Sequence, residues 1–175
     1  MGTPLPDTKV SVADDGELIV EGPQVALGYY GQSDSTFDGG LLHTGDLGTI
    51  AADGHVFISG RKKDLLITSY GKNINCSKIE QRLTDIACVE QAVLVGERRP
   101  YCAALLWTTG DSAALATDIQ RMNATLSHPE QVKRWCVIDT PLTIKGGELT
   151  PNLKLRRSVV WEHYKQEIDR MYAEE

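Results

Sequence analysis

The feature that most constrains the fold of this chain is an abrupt change of sequence character at Arg61. Residues 1–60 contain one lysine and nine carboxylates, a charge balance of −8, whereas residues 61–175 contain seventeen lysines and arginines and fifteen carboxylates, a balance of +2. The hydrophobic pattern changes at the same point, from short apolar runs between Asp-Gly turns to segments with helical spacing. We therefore expect two units that meet near residues 61–63.

Residues 1–60 predict a small all-β unit. Alternating valine and isoleucine at 9–12 and 17–21 flank the turn Asp14-Asp15-Gly16, which is a strong hairpin signal. Two more short strands, 47–50 and 56–59, flank Asp53-Gly54 in the same way. The polar tetrapeptide 43–46 between these hairpins is expected to form a turn.

Residues 61–175 predict a compact α+β unit in which helices cover a small sheet. The first helix, at 77–87, has Asn75 or Ser77 as its N-cap. The apolar runs 89–96 and 101–108 indicate two antiparallel strands. The remaining elements are a helix at 111–126, a strand at 134–138 and one amphipathic helix at 158–173. The predicted fold class is α+β: a β subdomain at 1–60 and an α+β domain at 61–175.

Composition argues against several classes of protein. The four cysteines (Cys76, Cys88, Cys102 and Cys136) include no close pair that could bind a metal, so we expect buried free thiols in a reduced, cytoplasmic protein. No apolar run approaches the roughly 18 residues that a membrane-spanning helix needs. The net charge of −6 argues against general nucleic-acid binding.

The stretch from Gly60 to Ile74 predicts a place where an anion could be held close to backbone. Arg61, Lys62 and Lys63 precede an apolar strand at 65–67, and the turn Thr68-Ser69-Tyr70-Gly71 follows it. The competing interpretation is a solvated basic loop before an ordinary strand, since charge runs usually face water.

Two further candidates flank this boundary. Asp46, in the triplet Thr44-Gly45-Asp46, could accept two hydrogen bonds from a vicinal diol such as a ribose, although such a triplet also suits a turn that caps its own backbone. The guanidinium of Arg61 suits a phosphate or sugar oxygens, or alternatively a surface ion pair with Asp64.

Lys154 is the third candidate, in the segment Glu148–Arg157. If that segment is extended, Lys154 points away from Leu153 and Leu155 and can deliver one positive charge to a developing oxyanion. Alternatively, Lys154, Arg156 and Arg157 only solvate a helix N-terminus. Cations there oppose the helix dipole, however, so this interpretation requires an anionic partner.

In this order, the motifs resemble those of the adenylate-forming superfamily, which includes acyl-CoA synthetases, luciferases and peptide-synthetase adenylation domains. The resemblance runs from about Gly2 to Arg157 and rests on TGD at 44–46, GRKKD at 60–64 and ELTPNLKLRR at 148–157. The last motif, with Lys63, is similar to that of long-chain fatty acyl-CoA synthetases.

The resemblance implies a two-step reaction. A carboxylate attacks the α-phosphate of ATP to give an acyl-adenylate and pyrophosphate, and coenzyme A then displaces AMP to give a thioester. It implies that Asp46 and Arg61 bind the nucleotide, that Lys63 is the hinge of a rotating C-terminal lid, and that Lys154 is the catalytic lysine. Ser69, Tyr70 and Gly71 would line the coenzyme A tunnel, where Tyr70 replaces the small residue of many relatives.

The resemblance also implies a partner, because the superfamily's phosphate-binding loop and acyl pocket precede the part present in this chain. The missing N-terminal AMP-binding portion would complete the enzyme, with fatty acid, ATP and coenzyme A as substrates and Mg²⁺ held by residues outside this chain. We expect the fragment alone to be inactive, and its uncovered β unit offers a face for a homodimer. Two alternatives stay open: a non-catalytic nucleotide- or phosphate-binding module, and an RNA-binding α+β domain.

Overall fold

A computed structural model describes residues 2–31, 36–109 and 113–173, and these residues form two compact units. The first unit comprises residues 1–64 and the second residues 65–175. Each unit has its own sheets.

The first unit is a five-stranded antiparallel sheet. Its strands are β1 (Lys9–Val12), β2 (Glu17–Glu21), β3 (Phe37–Asp38), β4 (Leu41–Ile50) and β5 (Val56–Arg61). The long strand β4 pairs with β2 along one edge and with β3 and then β5 along the other. The β1–β2 hairpin has the predicted Asp-Gly turn, in which Gly16 adopts a φ of 86°.

The second unit is organised around a three-stranded sheet of β8 (Val89–Val95), β9 (Cys102–Thr108) and β10 (Val132–Val137). Strand β9 lies in the middle, antiparallel to β8 and parallel to β10. A short hairpin of β6 (Leu65–Ile67) and β7 (Asn73–Asn75) precedes the sheet. A 3-10 turn at Lys62–Asp64 leads from β5 into β6.

Helices cover both faces of this sheet, as predicted. Alternate residues of β8 and β9, such as Leu94 and Leu106, pack with residues of α1 (Cys76–Thr84) and α2 (Leu115–Asn123). Their neighbours, such as Val93 and Leu105, pack with residues of α3 (Arg157–His163) and α4 (Lys165–Ala173). Because successive side chains of a strand point to opposite faces of the sheet, each face has its own apolar core.

Local signals placed most of these elements correctly. Asn75 is the N-cap of α1, and its Oδ1 accepts the Lys78 amide at 3.2 Å. All four cysteines are free thiols, but Cys88 and Cys136 are only half-buried. The helix predicted at 111–126 is confirmed between Leu115 and Asn123, where α2 lies. Residues 111 and 112 lie outside the described residues.

The prediction of one C-terminal helix is wrong, because the helix is interrupted at Tyr164. This residue has φ −101° and ψ 24°, outside the helical range, and separates α3 from α4. Its ring stands edge-on to Trp107 with centroids 5.7 Å apart, and its hydroxyl donates to the Thr140 carbonyl.

Of the helices in the described ranges, none is long and apolar enough to cross a membrane.

Candidate functional site

The triplet Thr44-Gly45-Asp46 forms a bulge inside strand β4, not the turn that we predicted. Opposite these residues the register shifts, so that Ile19 pairs with His43 while Glu17 pairs with Leu47. Gly45 adopts a φ of 71°, which a glycine accepts without strain, so the strand continues beyond it. Bulges redirect individual side chains, and this one presents Asp46 at the end of β5.

Asp46 and Arg61 are the two candidate residues that the structure brings together. They are register partners on β4 and β5, and they form an ion pair in which Arg61 Nε lies 3.2 Å from Asp46 Oδ1. The Asp46 side chain is 27% exposed and the Arg61 side chain 68% exposed. A pair this accessible contributes at most about 1 kcal/mol to stability, so hydroxyl groups of a ligand can join it at small cost.

The bulge is held by a buried carboxylate, that of Glu17. Its Oε1 accepts the Gly45 amide at 2.7 Å, and its Oε2 lies 3.1 Å from Lys62 Nζ and 3.5 Å from His43 Nδ1. Burial, the largest influence, raises the pKa of Glu17, but the hydrogen bonds from Gly45, Lys62 and His43 together hold the pKa below its usual value. Glu17 is therefore ionised at neutral pH and fixes both the bulge and Lys62.

Lys62 is anchored to the first unit by two carboxylates. Its Nζ lies 2.5 Å from Asp15 Oδ2 as well as 3.1 Å from Glu17 Oε2. The hydrogen bonds with Asp15 and then Glu17 raise the pKa of Lys62. The chain immediately before Lys63 is thereby attached to the β1–β2 hairpin.

Two cavities of the first unit adjoin the Asp46–Arg61 pair. The larger, of about 800 Å³, is lined by the three cations Arg61, Lys62 and Lys63 and by polar groups of β2 and β4. The smaller, of about 350 Å³, is mainly apolar and includes Asp46. The carboxylates of Glu17 and Asp38 also line the larger cavity, and Thr44 lines both, so one strand segment separates a charged cavity from an apolar one.

Ser69, Tyr70 and Gly71 form the predicted turn between β6 and β7 in the second unit. Thr68 closes the turn by donating its amide to the Lys72 carbonyl, and Gly71 has a φ of 70°. The Tyr70 ring is 75% exposed at the tip. The turn therefore presents an aromatic ring to solvent, outside the apolar core.

Lys154 is the last loop residue of a tight hairpin, immediately before the Leu149–Leu155 bridge, so the segment does not meet the condition of being extended. Leu149 and Leu155 form a bridge, and Thr150 closes the loop by donating its amide to the Lys154 carbonyl at 2.9 Å. Leu153 adopts a φ of 57° and is 69% exposed, which turns the chain back. Among the described residues, no carboxylate pairs with the exposed Lys154 ammonium. Its charge is thus available to a ligand.

The anionic partner required by the cations near α3 is Glu80. Arg157, the first residue of α3, makes a two-pronged ion pair with this carboxylate, with Nη2 to Oε2 at 2.9 Å. Both side chains are largely buried, at 15% and 13% exposure. Arg157 therefore has a structural role, whereas the side chain of Lys154 is exposed to solvent.

Sequence reasoning missed the two buried carboxylates, Glu17 and Glu148, and the anchoring of Lys62. One signal was present for Glu17: it shares the inward face of β2 with Ile19, and a carboxylate there requires a partner. No local signal pointed to Lys62, whose partners lie 45 and 47 positions earlier in the chain.

Within the described ranges, no three histidine, cysteine, aspartate or glutamate side chains could together hold a metal ion.

The three tryptophans bear on the RNA-binding alternative. Trp107 is buried, and Trp135 and Trp161 pack against the two cores. Trp107 Nε1 donates to the Thr140 carbonyl and Trp161 Nε1 to the Leu94 carbonyl. Because these rings are occupied inside the second unit, they do not provide the exposed stacking platform that single-stranded RNA requires.

We expect Glu17→Gln to destabilise the first unit by roughly 1–3 kcal/mol at neutral pH, since it weakens hydrogen bonds to charged groups. Because the folded pKa of Glu17 lies below its ordinary value of 4.5, the contribution is complete above that pH and is lost as pH falls through the folded pKa. The difference in the free energy of unfolding between the variant and the native protein should therefore become smaller at acidic pH.

Urea unfolding followed by circular dichroism, from about pH 7 to about pH 3.5, measures this difference. Glu21→Gln, an exposed change on the same strand that removes only a surface pair with Lys9, is the matched control and should stay within about 0.5 kcal/mol of the native protein. A Glu17→Gln effect that is equally large at both ends of the pH range would contradict the role of the ionised carboxylate.

Comparison with protein families identifies the second unit. The family model of the AMP-binding enzyme C-terminal domain matches residues 63–175. The chain belongs to this family. The match begins at Lys63, within the 3-10 turn between β5 and β6.

Curated relatives extend the likeness to the whole chain. The long-chain-fatty-acid–CoA ligase FadD15 of Mycobacterium tuberculosis is 34% identical over 204 residues, which cover 100% of this chain and 34% of that protein. The long-chain-fatty-acid–CoA ligase ACSBG1 of Bos taurus is 28% identical over 226 residues, which cover 99% of this chain and 31% of that protein. The chain therefore spans about a third of the length of the curated relatives it matches.

Solved structures show the same fold. The A-PCP didomain of carboxylic acid reductase from Segniliparus rugosus, in complex with AMP, matches 98% of this chain and 28% of its own, with a TM-score of 0.82 and 23% identity. The O-succinylbenzoate coenzyme A synthetase MenE from Bacillus subtilis, also with AMP, matches 90% of this chain and 34% of its own, with a TM-score of 0.72 and 24% identity. The predicted α+β fold and the resemblance to adenylate-forming enzymes are confirmed.

Proposed function

We propose that this chain is the C-terminal part of a long-chain fatty acid–CoA ligase. In this reaction the fatty acid carboxylate attacks the α-phosphorus of ATP and pyrophosphate leaves; the coenzyme A thiolate then attacks the acyl carbon and AMP leaves. The observation that most directly supports the proposal is the family membership of residues 63–175. Relatives that bear this name also match the chain over its whole length.

The Asp46–Arg61 pair is suited to the ribose of the nucleotide. The Asp46 carboxylate is fixed by the bulge but partly open, so it can accept hydrogen bonds from two adjacent hydroxyl groups. Arg61 is already paired with Oδ1 of Asp46 and can direct its other donors to a sugar oxygen. We assign nucleotide binding to these two residues.

Lys154 is suited to the adenylation step. Its ammonium is exposed on a defined hairpin, and negative charge develops on the α-phosphate and carboxylate oxygens as the new bond forms. A positive charge placed there stabilises the transition state more than the ground state, which is what accelerates a reaction. We assign the catalytic charge to Lys154, the hinge to Lys63, and the walls of the coenzyme A tunnel to Ser69, Tyr70 and Gly71.

Magnesium enters this scheme only as the ion that accompanies ATP. Since the described residues contain no cluster of potential metal ligands, we assign none of them to Mg²⁺. The residues that position the phosphates and the acyl chain belong to the N-terminal AMP-binding portion, which is the partner that this function requires.

We expect the 175-residue chain alone to form no thioester from a long-chain fatty acid, ATP and coenzyme A. Positioning supplies much of the acceleration in such a reaction, and we assign most of the phosphate contacts that supply it to the N-terminal portion. Chromatographic detection of acyl-CoA and AMP is the measurement. The full-length protein, assayed beside the chain, should form both products. Turnover by the chain alone, or none by the full-length protein, would contradict the proposal.

A further inference from the structure

We propose that Glu148 is a positioning residue that fixes the Lys154 hairpin for adenylation. The proposal rests on the function assigned to Lys154 above. It starts from an unusual feature of the second unit: Glu148 is a carboxylate with only 8% of its surface exposed, in a loop that contributes little to the apolar core.

The Glu148 carboxylate joins the base of the hairpin to two other segments. Its Oε2 accepts the Thr143 amide at 3.1 Å, and its Oε1 lies 2.9 Å from His163 Nδ1. Burial, the largest influence, raises the pKa of Glu148, but its hydrogen bonds with the backbone and His163 hold the pKa below its usual value. Since an ionised carboxylate only accepts hydrogen bonds, His163 donates from Nδ1.

The backbone of Glu148 holds the other side of the same hairpin. Its carbonyl accepts the Arg156 amide at 2.7 Å, directly after the Leu149–Leu155 bridge. One residue therefore fixes the strand entering the hairpin through its side chain and the strand leaving it through its backbone. Lys154 lies two positions before Arg156, so a displacement of the base moves the ammonium.

The space around the carboxylate is tightly specified. A Cβ atom at Gly146 would overlap the Glu148 carboxylate, so a side chain at residue 146 would displace this group from its present position. The Gly146 amide donates to Thr143 Oγ1 at 2.8 Å, which closes the loop. Such a buried, fully bonded arrangement is expected where a loop must hold one geometry.

The test uses the full-length enzyme and measures the two half-reactions separately. Glu148→Gln keeps the size of the side chain but loses its charge and one acceptor. We expect kcat for adenylation to fall about 10- to 100-fold, with KM for ATP and thioester formation from supplied acyl-adenylate nearly unchanged. Glu162→Gln, an exposed change on the same helix as His163, is the control and should leave both steps unchanged.

A double variant distinguishes positioning from general destabilisation. If Glu148 acts through Lys154, adding Glu148→Gln to Lys154→Ala should cause no further loss of adenylation. Additive losses, or equal losses in both half-reactions, would overturn the proposal. His163→Leu removes one hydrogen-bond donor to Glu148 at a half-exposed position and should cause a smaller, equally selective loss of adenylation. This variant replaces Glu148→Gln in the test if Glu148→Gln does not fold.

The single variant Lys154→Ala separates this proposal from the proposed function. A selective loss of adenylation in Lys154→Ala with none in Glu148→Gln would overturn only the positioning role. No selective loss in Lys154→Ala would overturn the assignment of Lys154 and the positioning role with it.

Discussion

Lys154→Ala in the full-length enzyme is expected to lower the rate of acyl-adenylate formation by roughly 10²- to 10³-fold. The exposed ammonium has no carboxylate partner among the described residues, so its removal costs the folded protein little. What is lost is a charge directed at the transition state of the first step. ATP–pyrophosphate exchange with a long-chain fatty acid measures that step alone.

Thioester formation from supplied acyl-adenylate should stay within about threefold of the native rate in the same variant. Lys145→Ala is the matched control, because Lys145 is also exposed and lies in the loop just before the hairpin. An equal loss in both half-reactions would show that Lys154 supports the fold of the hairpin and does not act on the adenylation step.

Lys63→Pro is expected to have the opposite effect: loss of thioester formation by about 10²-fold or more, with adenylation retained to within about tenfold. Proline fixes φ near −65° and restricts the preceding residue, so it opposes a change of backbone conformation at this point. Lys62 is already attached to Asp15 and Glu17. If Lys63 is the hinge, these ion pairs keep the residue before it attached to the β1–β2 hairpin while the second unit rotates.

Single-turnover measurements of each half-reaction check this prediction, with Lys63→Ala as the control that removes the side chain but leaves the backbone mobile. The alanine variant should keep thioester formation. If the two variants lose the second step equally, the side chain of Lys63 rather than backbone rotation is responsible.

Local sequence signals predicted the parts of the fold that depend on local interactions. The Asp-Gly turn at 14–16, the Asn75 cap and the antiparallel pair β8–β9 follow from turn chemistry, capping and apolar periodicity. The candidate residues Asp46 and Arg61 could also be named in advance, because their side chains suit a diol and an anion.

What the sequence did not predict depends on partners distant in the chain. The bulge at Gly45 forms because Glu17, 28 positions earlier, accepts its amide, and no local pattern contains that contact. The break at Tyr164 accompanies packing of its ring against Trp107 on β9. The hairpin of Lys154 depends on Glu148 and on a left-handed Leu153, a conformation that propensity assigns to glycine.

In the proposed function, the bulge presents Asp46 to the ribose of ATP. The most direct test compares ATP with 3′-deoxy-ATP as substrates for pyrophosphate exchange by the full-length enzyme and by its Asp46→Ala variant. The native enzyme should prefer ATP by roughly 10- to 100-fold, the value of one hydrogen bond to a charged acceptor, and the variant should lose that preference. An Asp46→Ala variant that still discriminates between the two nucleotides as the native enzyme does would contradict the account.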